Sequence, residues 1–157
     1  MDIGKIIMKK LLLSFILSLI LSFPALAINI RDMDVIHIYI DDTAKGGCWT
    51  NILEVRNYTK GSIESKGGTV DNDPNVQDLV TNGTYRIAIS VTASRIWSSG
   101  DGPCFGSIDI RLDGLAYINS EPVWTIFDES RIIDADHNNL NKSVLTSLSD
   151  FLRNLKY

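Results

Sequence analysis

From Asp34 to Asp41 bulky aliphatic residues recur at every second position. Ile36, Ile38 and Ile40 fall on one side, and Val35, His37 and Tyr39 on the other. A period of two is that of a β-strand, and apolar residues on both sides predict a strand covered on both faces. Lys45-Gly46-Gly47 breaks it. Asn51-Ile52-Leu53-Glu54 then reads as a capping box, with Asn51 accepting backbone N–H bonds and Glu54 reaching back. Ile52, Val55, Thr59 and Ile63 follow at spacings of three and four, so a helix is expected until Gly67-Gly68 stops it. Gly61 weakens that helix by up to ~1 kcal/mol.

Asp71-Asn72-Asp73-Pro74-Asn75 is a turn, and Val76 to Val80 is a short connecting element that fits no single period. Tyr85, Ile87, Ile89, Val91 and Ala93 alternate with Arg86, Ala88, Ser90 and Thr92, the cleanest strand pattern in the chain. After the Ser98–Pro103 loop, Cys104, Gly106, Ile108, Ile110 and Leu112 alternate with Phe105, Ser107, Asp109 and Arg111. These two strands are expected to pair as an antiparallel hairpin. Asp113-Gly114 offers a tight turn into a further strand, Leu115 to Ile118, and Val123 to Phe127 adds another after Pro122. At the end, Leu140, Val144, Leu145, Leu148, Phe151, Leu152 and Leu155 recur at helical spacing, with Asn138 or Asn139 as cap.

Strands gathered between one early and one late helix predict an α+β fold. Its form is a two-layer sandwich, a mainly antiparallel sheet with both helices on one face. The order is similar in outline to small accessory domains of bacterial envelope assemblies, a likeness of fold that gives no residue a role.

The first 27 residues follow a different pattern. Lys9-Lys10 precede an apolar and serine run from Leu11 to Phe23, and Pro24-Ala25-Leu26-Ala27 closes it. A basic start, a short apolar core and an A-x-A site are the three parts of a secretory signal peptide. The run is shorter than the ~20 residues a membrane span needs. Residues 1–27 are therefore expected to be cleaved, leaving 28–157 as a single α+β domain in the periplasm or outside the cell. Read from Met8 onward, the leader has the compact form of bacterial export signals.

Composition narrows the rest. The leader carries Lys5, Lys9, Lys10 and Asp2, which takes the 15 basic and 19 acidic residues of the chain to 12 and 18, a net of −6. A negative surface without a basic run argues against nucleic acid and anionic membranes as partners. Cys48 and Cys104 are the two cysteines, an even count that predicts one disulfide in an oxidising compartment. Closing that loop is worth roughly 4 kcal/mol in the chain-entropy account.

Catalytic motifs are sparse. His37 lies within a strand and His137 in a polar turn, and both read as structural. No G-x-S-x-G nucleophile turn occurs. Asp71, Asp73 and Asn75, and again Asp134, Asp136 and Asn138, match the opening of a calcium loop. Asn82 and Leu145 then stand where the bidentate glutamate belongs, so no metal site is assigned. No phosphate-binding loop and no cofactor motif is present. Asp41, Asp42, Asp109, Asp113 and Glu121 are the acids from which a catalytic carboxylate pair would be drawn.

Of Trp49, Trp97 and Trp124, Trp97 is best placed to stack on a sugar ring, and Trp97 with Asp101 in the adjoining loop are the candidate binding residues. The expectation is an exported, non-enzymatic binding or envelope-accessory protein whose partner is another envelope protein or a glycan. The alternative is a small carboxylate-dependent hydrolase acting on cell-wall or extracellular polymer. N-terminal sequencing of the exported protein is expected to begin Ile28-Asn29-Ile30. Retention of Leu11 to Phe23 would contradict the cleavage.

Overall fold

The computed structural model describes residues 30–71, 84–97, 102–118 and 120–155. The expected leader 1–27, the connecting element Val76–Val80, most of the Asp71–Asn75 turn, and Asp101 lie outside the described residues. A 3-10 turn at Ile30–Asp32 leads into β1 (Val35–Asp42), followed by α1 (Ile52–Ser65) and β2 (Val70–Asp71). Then come β3 (Thr84–Arg95), β4 (Cys104–Ile118), β5 (Glu121–Asp136) and α2 (Asn141–Asn154). The strands form one mixed sheet in the order β2-β1-β3-β4-β5. β1 runs parallel to β2 and β3, while the longer β3–β4 and β4–β5 ladders are antiparallel. The fold is an α+β sandwich. None of its described helices is long and apolar enough to cross a membrane.

α1 supplies the crossover that two parallel strands require. Its buried positions are Val55, Thr59 and Ile63, the stripe read from spacing. The capping box is not made. Asn51 Oδ1 accepts the Trp49 indole N–H at 2.9 Å and its Nδ2 donates to Glu54 Oε2 at 3.0 Å, so neither side chain reaches a backbone amide. At the other end Gly67 adopts φ +87°. The N–H groups of Gly67 and Gly68 bond to the carbonyls of Glu64 and Ile63, a Schellman closure. Gly68 also allows close packing, since a Cβ there would lie 2.6 Å from Ile63 Cγ2 and 2.8 Å from Ile30 Cγ2.

The second half of the sheet departs from expectation. Asp113-Gly114 is no turn. β4 runs straight through it, because Asp113 and Gly114 pair with Arg86 and Tyr85 of β3 on one side and with Ile126 and Thr125 of β5 on the other. Leu115–Ile118 is thus the end of β4 rather than a separate strand. The chain reverses between the paired residues Ile118 and Glu121, where Ser120 has φ +70°. β5 is also far longer than the expected Val123–Phe127. Its partners on β4 jump from Leu112↔Asp128 to Asp113↔Ile126, leaving Phe127 as a bulge. The Phe127 ring packs on Tyr85 with centroids 5.7 Å apart.

One core cluster joins Ile36 and Ile38 of β1, Ile87, Ile89 and Val91 of β3, and Ile108, Ile110 and Leu112 of β4 to both helices. Side chains in a strand alternate between faces, so the helices occupy the face that these residues share. The expected cover on both faces of β1 is not found. His37 is buried on the opposite side, but Tyr39 beside it is exposed. The His37 imidazole stands 3.7 Å from the Asp71 carboxylate, and its Nδ1 has no hydrogen-bond partner among the described residues.

In α2 the stripe of Val144, Leu148, Phe151 and Leu152 is buried as the spacing requires. Asn139 accepts the Asn141 amide at 3.1 Å and so satisfies one of the free donors at its start. Ser147, polar and expected to face water, is buried instead and donates to the Ser143 carbonyl at 2.7 Å. Phe151→Ala is expected to destabilise by ~3–5 kcal/mol, the usual range for deleting a buried ring. Asp150→Ala, at an exposed position paired with Arg153, should change stability by less than about 0.5 kcal/mol. Urea unfolding of the two variants checks both. A neutral Phe151→Ala would place the stripe outside the core.

Candidate functional site on the helix-free face of the sheet

With the apolar half of each strand turned to the helices, the other half forms an open face. Strand register fixes its rows. His37, Arg86, Asp113 and Ile126 lie side by side across four strands. Next come Tyr39, Ala88, Arg111 and Glu129, then Asp41, Ser90, Asp109 and Arg131. Thr92, Ser107 and Ile133 follow, and Ser94, Phe105 and Ala135 close the set. Charged residues hold the centre. Large apolar side chains, exposed in each case, sit toward the two ends: Tyr39, Trp124 and Ile126 at one, Phe105 and Ile133 at the other.

Arg86 organises the first end. Its Nε and Nη2 donate to the two carboxylate oxygens of Asp113, each at 2.9 Å. The guanidinium also lies between two rings, 5.4 Å from the Tyr39 centroid and 5.3 Å from that of Trp124. A planar cation suits this arrangement, since its edge serves the carboxylate while its faces meet aromatic π-clouds. The Asp113 hydrogen bonds, against the opposing effect of burial, hold the Arg86 pKa above its ordinary value. Asp113 is only 4% exposed, so its carboxylate takes its hydrogen bonds from this partner and has little contact with water. Trp124 is 46% exposed, with one ring face already taken.

Asp109, Asp41 and Asp42 are engaged as well. Asp109 accepts from Arg131, whose pKa it raises through that hydrogen bond. Asp41 accepts the Ser90 hydroxyl at 3.2 Å, and Asp42 accepts the Ala44 amide at 2.9 Å. At the second apolar end a shallow groove of about 470 Å³ is lined by Thr43, Lys45, Thr92, Phe105, Ser107 and Ile133, among others. None of its described lining residues is acidic. Of the calcium-like pair of sequences, the described one uses its acids locally: Asp134 accepts the Ala135 amide and Asp136 the Asn138 amide.

Cys48 and Cys104 are bridged, with Cα atoms 5.5 Å apart and both residues buried. Of the tryptophans, Trp49 is buried beside that bridge and donates to Asn51. Trp97 is 61% exposed just beyond β3, packed against Gly102, where a Cβ would come within 3.0 Å of its ring. It lies outside the Arg86 cluster, and its expected companion Asp101 is not among the described residues. Sequence reasoning missed Tyr39, Arg86, Asp113 and Trp124 as a group. Alternation alone places Tyr39 and Arg86 on the polar side of their strands, but only cross-strand register brings them together.

No protein-family model matches this chain, and a search of curated proteins finds no relative. Arg86→Met should destabilise by about 3 kcal/mol, because it leaves the Asp113 carboxylate buried without its partner. Arg86→Met combined with Asp113→Asn should recover most of that loss. Urea unfolding of the two single variants and the double variant measures the coupling. Simple additivity would mean that the pair contributes nothing as a pair.

Proposed function

We propose that this is an exported, non-enzymatic protein that binds another polypeptide through the helix-free face of its sheet. One observation carries the reading. A face without a covering layer among the described residues bears Tyr39, Phe105, Trp124, Ile126 and Ile133, all large and all exposed. Apolar side chains gathered on an open surface mark sites of association. Two ion pairs on the same face are made within the chain, Arg86 with Asp113 and Arg131 with Asp109, which orders part of its polar centre. The buried Cys48–Cys104 bridge fits an oxidising compartment, in agreement with export directed by residues 1–27.

A polypeptide fits this surface better than a glycan. Sugars stack on a free aromatic face, and Arg86 occupies one face of Trp124. The hydrolase reading asks for two carboxylates converging in a concave pocket. Here Asp113 and Asp109 are each bound to arginine, and the apolar groove is lined by hydroxyls, Lys45 and hydrocarbon.

The test is site-specific photocrosslinking of the exported protein in its own envelope. A photoreactive residue at Ile126 or Ile133 should give an adduct of discrete mass containing a second polypeptide. One at Leu53, exposed on α1, should give none. Trp124→Ala should lower the yield at Ile126 several-fold without unfolding the protein. Adducts forming equally at Leu53, or none from the sheet face, would retire the reading.

A further inference from the structure

β5 has one neighbour, β4, among the described residues, and its other side is a sheet edge 16 residues long. An edge of that length offers a row of backbone donors and acceptors to any extended chain, and proteins normally obstruct it. This chain does so in an unusual way. The Glu129 amide donates to the carboxylate of Asp128 at 2.9 Å, and the Ala135 amide to that of Asp134 at 2.8 Å. Residues 129 and 135 are an even number apart, so their N–H groups point the same way across the strand, and Arg131 and Ile133 between them share that direction. Two side-chain carboxylates thus sit on the edge amides and leave the Arg131–Ile133 stretch between them. Ile132 and Ile133 are exposed there.

The charge of the strand selects what can pair with it. β5 carries Glu121, Asp128, Glu129, Asp134 and Asp136 against Arg131 alone, and Arg131 is already bound to Asp109. A second copy of β5 would bring an equal excess of acid to the same edge, which like charges across a strand pair disfavour. A basic segment would not. Its lysine or arginine side chains can draw Asp128 and Asp134 off the amides, while its own carbonyls accept the released N–H groups. Each bond lost at the edge is then replaced by two.

We infer that the β5 edge is a strand-addition site for an extended basic polypeptide segment, gated by the Asp128 and Asp134 carboxylates. This rests on the reading of the protein as a polypeptide binder and names the chemistry of the partner. A neutral or acidic strand leaves both carboxylates in place and finds the edge closed.

The experiment uses the exported protein with its disulfide intact and a peptide alternating lysine with valine. Amide shifts in the nitrogen-15 spectrum should concentrate between Glu129 and Ala135. A glutamate–valine peptide should bind at least about tenfold more weakly. N-methylation of every second amide on the side facing β5 should abolish binding although it leaves the charge unchanged. With Asp128→Ala and Asp134→Ala together, a neutral threonine–valine peptide should bind where the native protein refuses it.

Undiminished binding of the N-methylated peptide would reduce the effect to charge attraction and overturn the proposal. So would shifts confined to other strands, or a concentration-dependent dimer formed through β5 in sedimentation. If β5 fails these tests while Ile126 still crosslinks to a polypeptide, the edge is excluded and the docking face stands. Loss of crosslinking at Ile126 with the peptide result intact would have the opposite meaning.

Discussion

Three connections of this fold converge on one corner, and the rest of the structure depends on how that corner is fastened. The Cys48–Cys104 bridge ties the β1–α1 connection to the first residue of β4. Opposite Cys104 in the ladder stands Arg95, whose guanidinium donates to the carbonyls of Gly46, Gly102 and Asn138. Those carbonyls belong to the β1–α1, β3–β4 and β5–α2 connections. A guanidinium carries five donors in a rigid fork, so one side chain can satisfy three loops at once. Cys48 adds a fourth tie, accepting the Leu140 amide at 2.7 Å just before α2 begins. Gly46, at φ +64°, is needed here for a second reason: a Cβ would approach Arg95 Cγ at 3.2 Å. Covalent and hydrogen-bonded clamps therefore act together where α1 and α2 enter the core.

From that corner the two faces of the sheet acquire different roles. The helices share one buried core with most of the aliphatic residues of β1, β3 and β4. The opposite face inherits the polar half of the alternation, yet it is not simply a wetted surface. Arg86 and Arg131 are paired with acids across strands, and the Tyr39 and Trp124 rings both lie against the Arg86 guanidinium. Pairing lowers the cost of desolvating these groups when another surface arrives, since each already has its partner.

Much of this was legible in the residues. Strict alternation in β1 and β3 and the seven apolar residues of the C-terminal stripe follow from packing against a single layer, and they gave the correct elements. Cys48 and Cys104, an even count in a chain that reads as exported, predict the bridge that is present. The failures lie where tertiary pairing outweighs local chemistry. Asp113-Gly114 has the composition of a turn but is held extended by partners on both sides. Residues 128–136 have no period of two, as Asp128-Glu129 and Ile132-Ile133 are adjacent pairs of one kind, and only the ladder to β4 makes them a strand. The Arg86 cluster draws on four strands separated by up to 85 positions in the chain, from Tyr39 to Trp124, and register across a sheet is not written in local pattern. Asn51 and Glu54 had the spacing of a cap, but the neighbouring Trp49 indole competed for the asparagine oxygen.

The bulge at Phe127 has a consequence for how this strand can change length. Because Ile126 and Asp128 already stand opposite consecutive residues of β4, removing Phe127 would leave every other pair of the ladder and every facing side unchanged. A loss at a neighbouring paired position can be absorbed in the same way, by drawing Phe127 into the ladder; without that spare residue it would turn over the segment toward the hairpin. Chain length in the edge strand is thus negotiable at Phe127, a residue whose identity matters to the core through its ring on Tyr85 while its presence does not matter to the sheet.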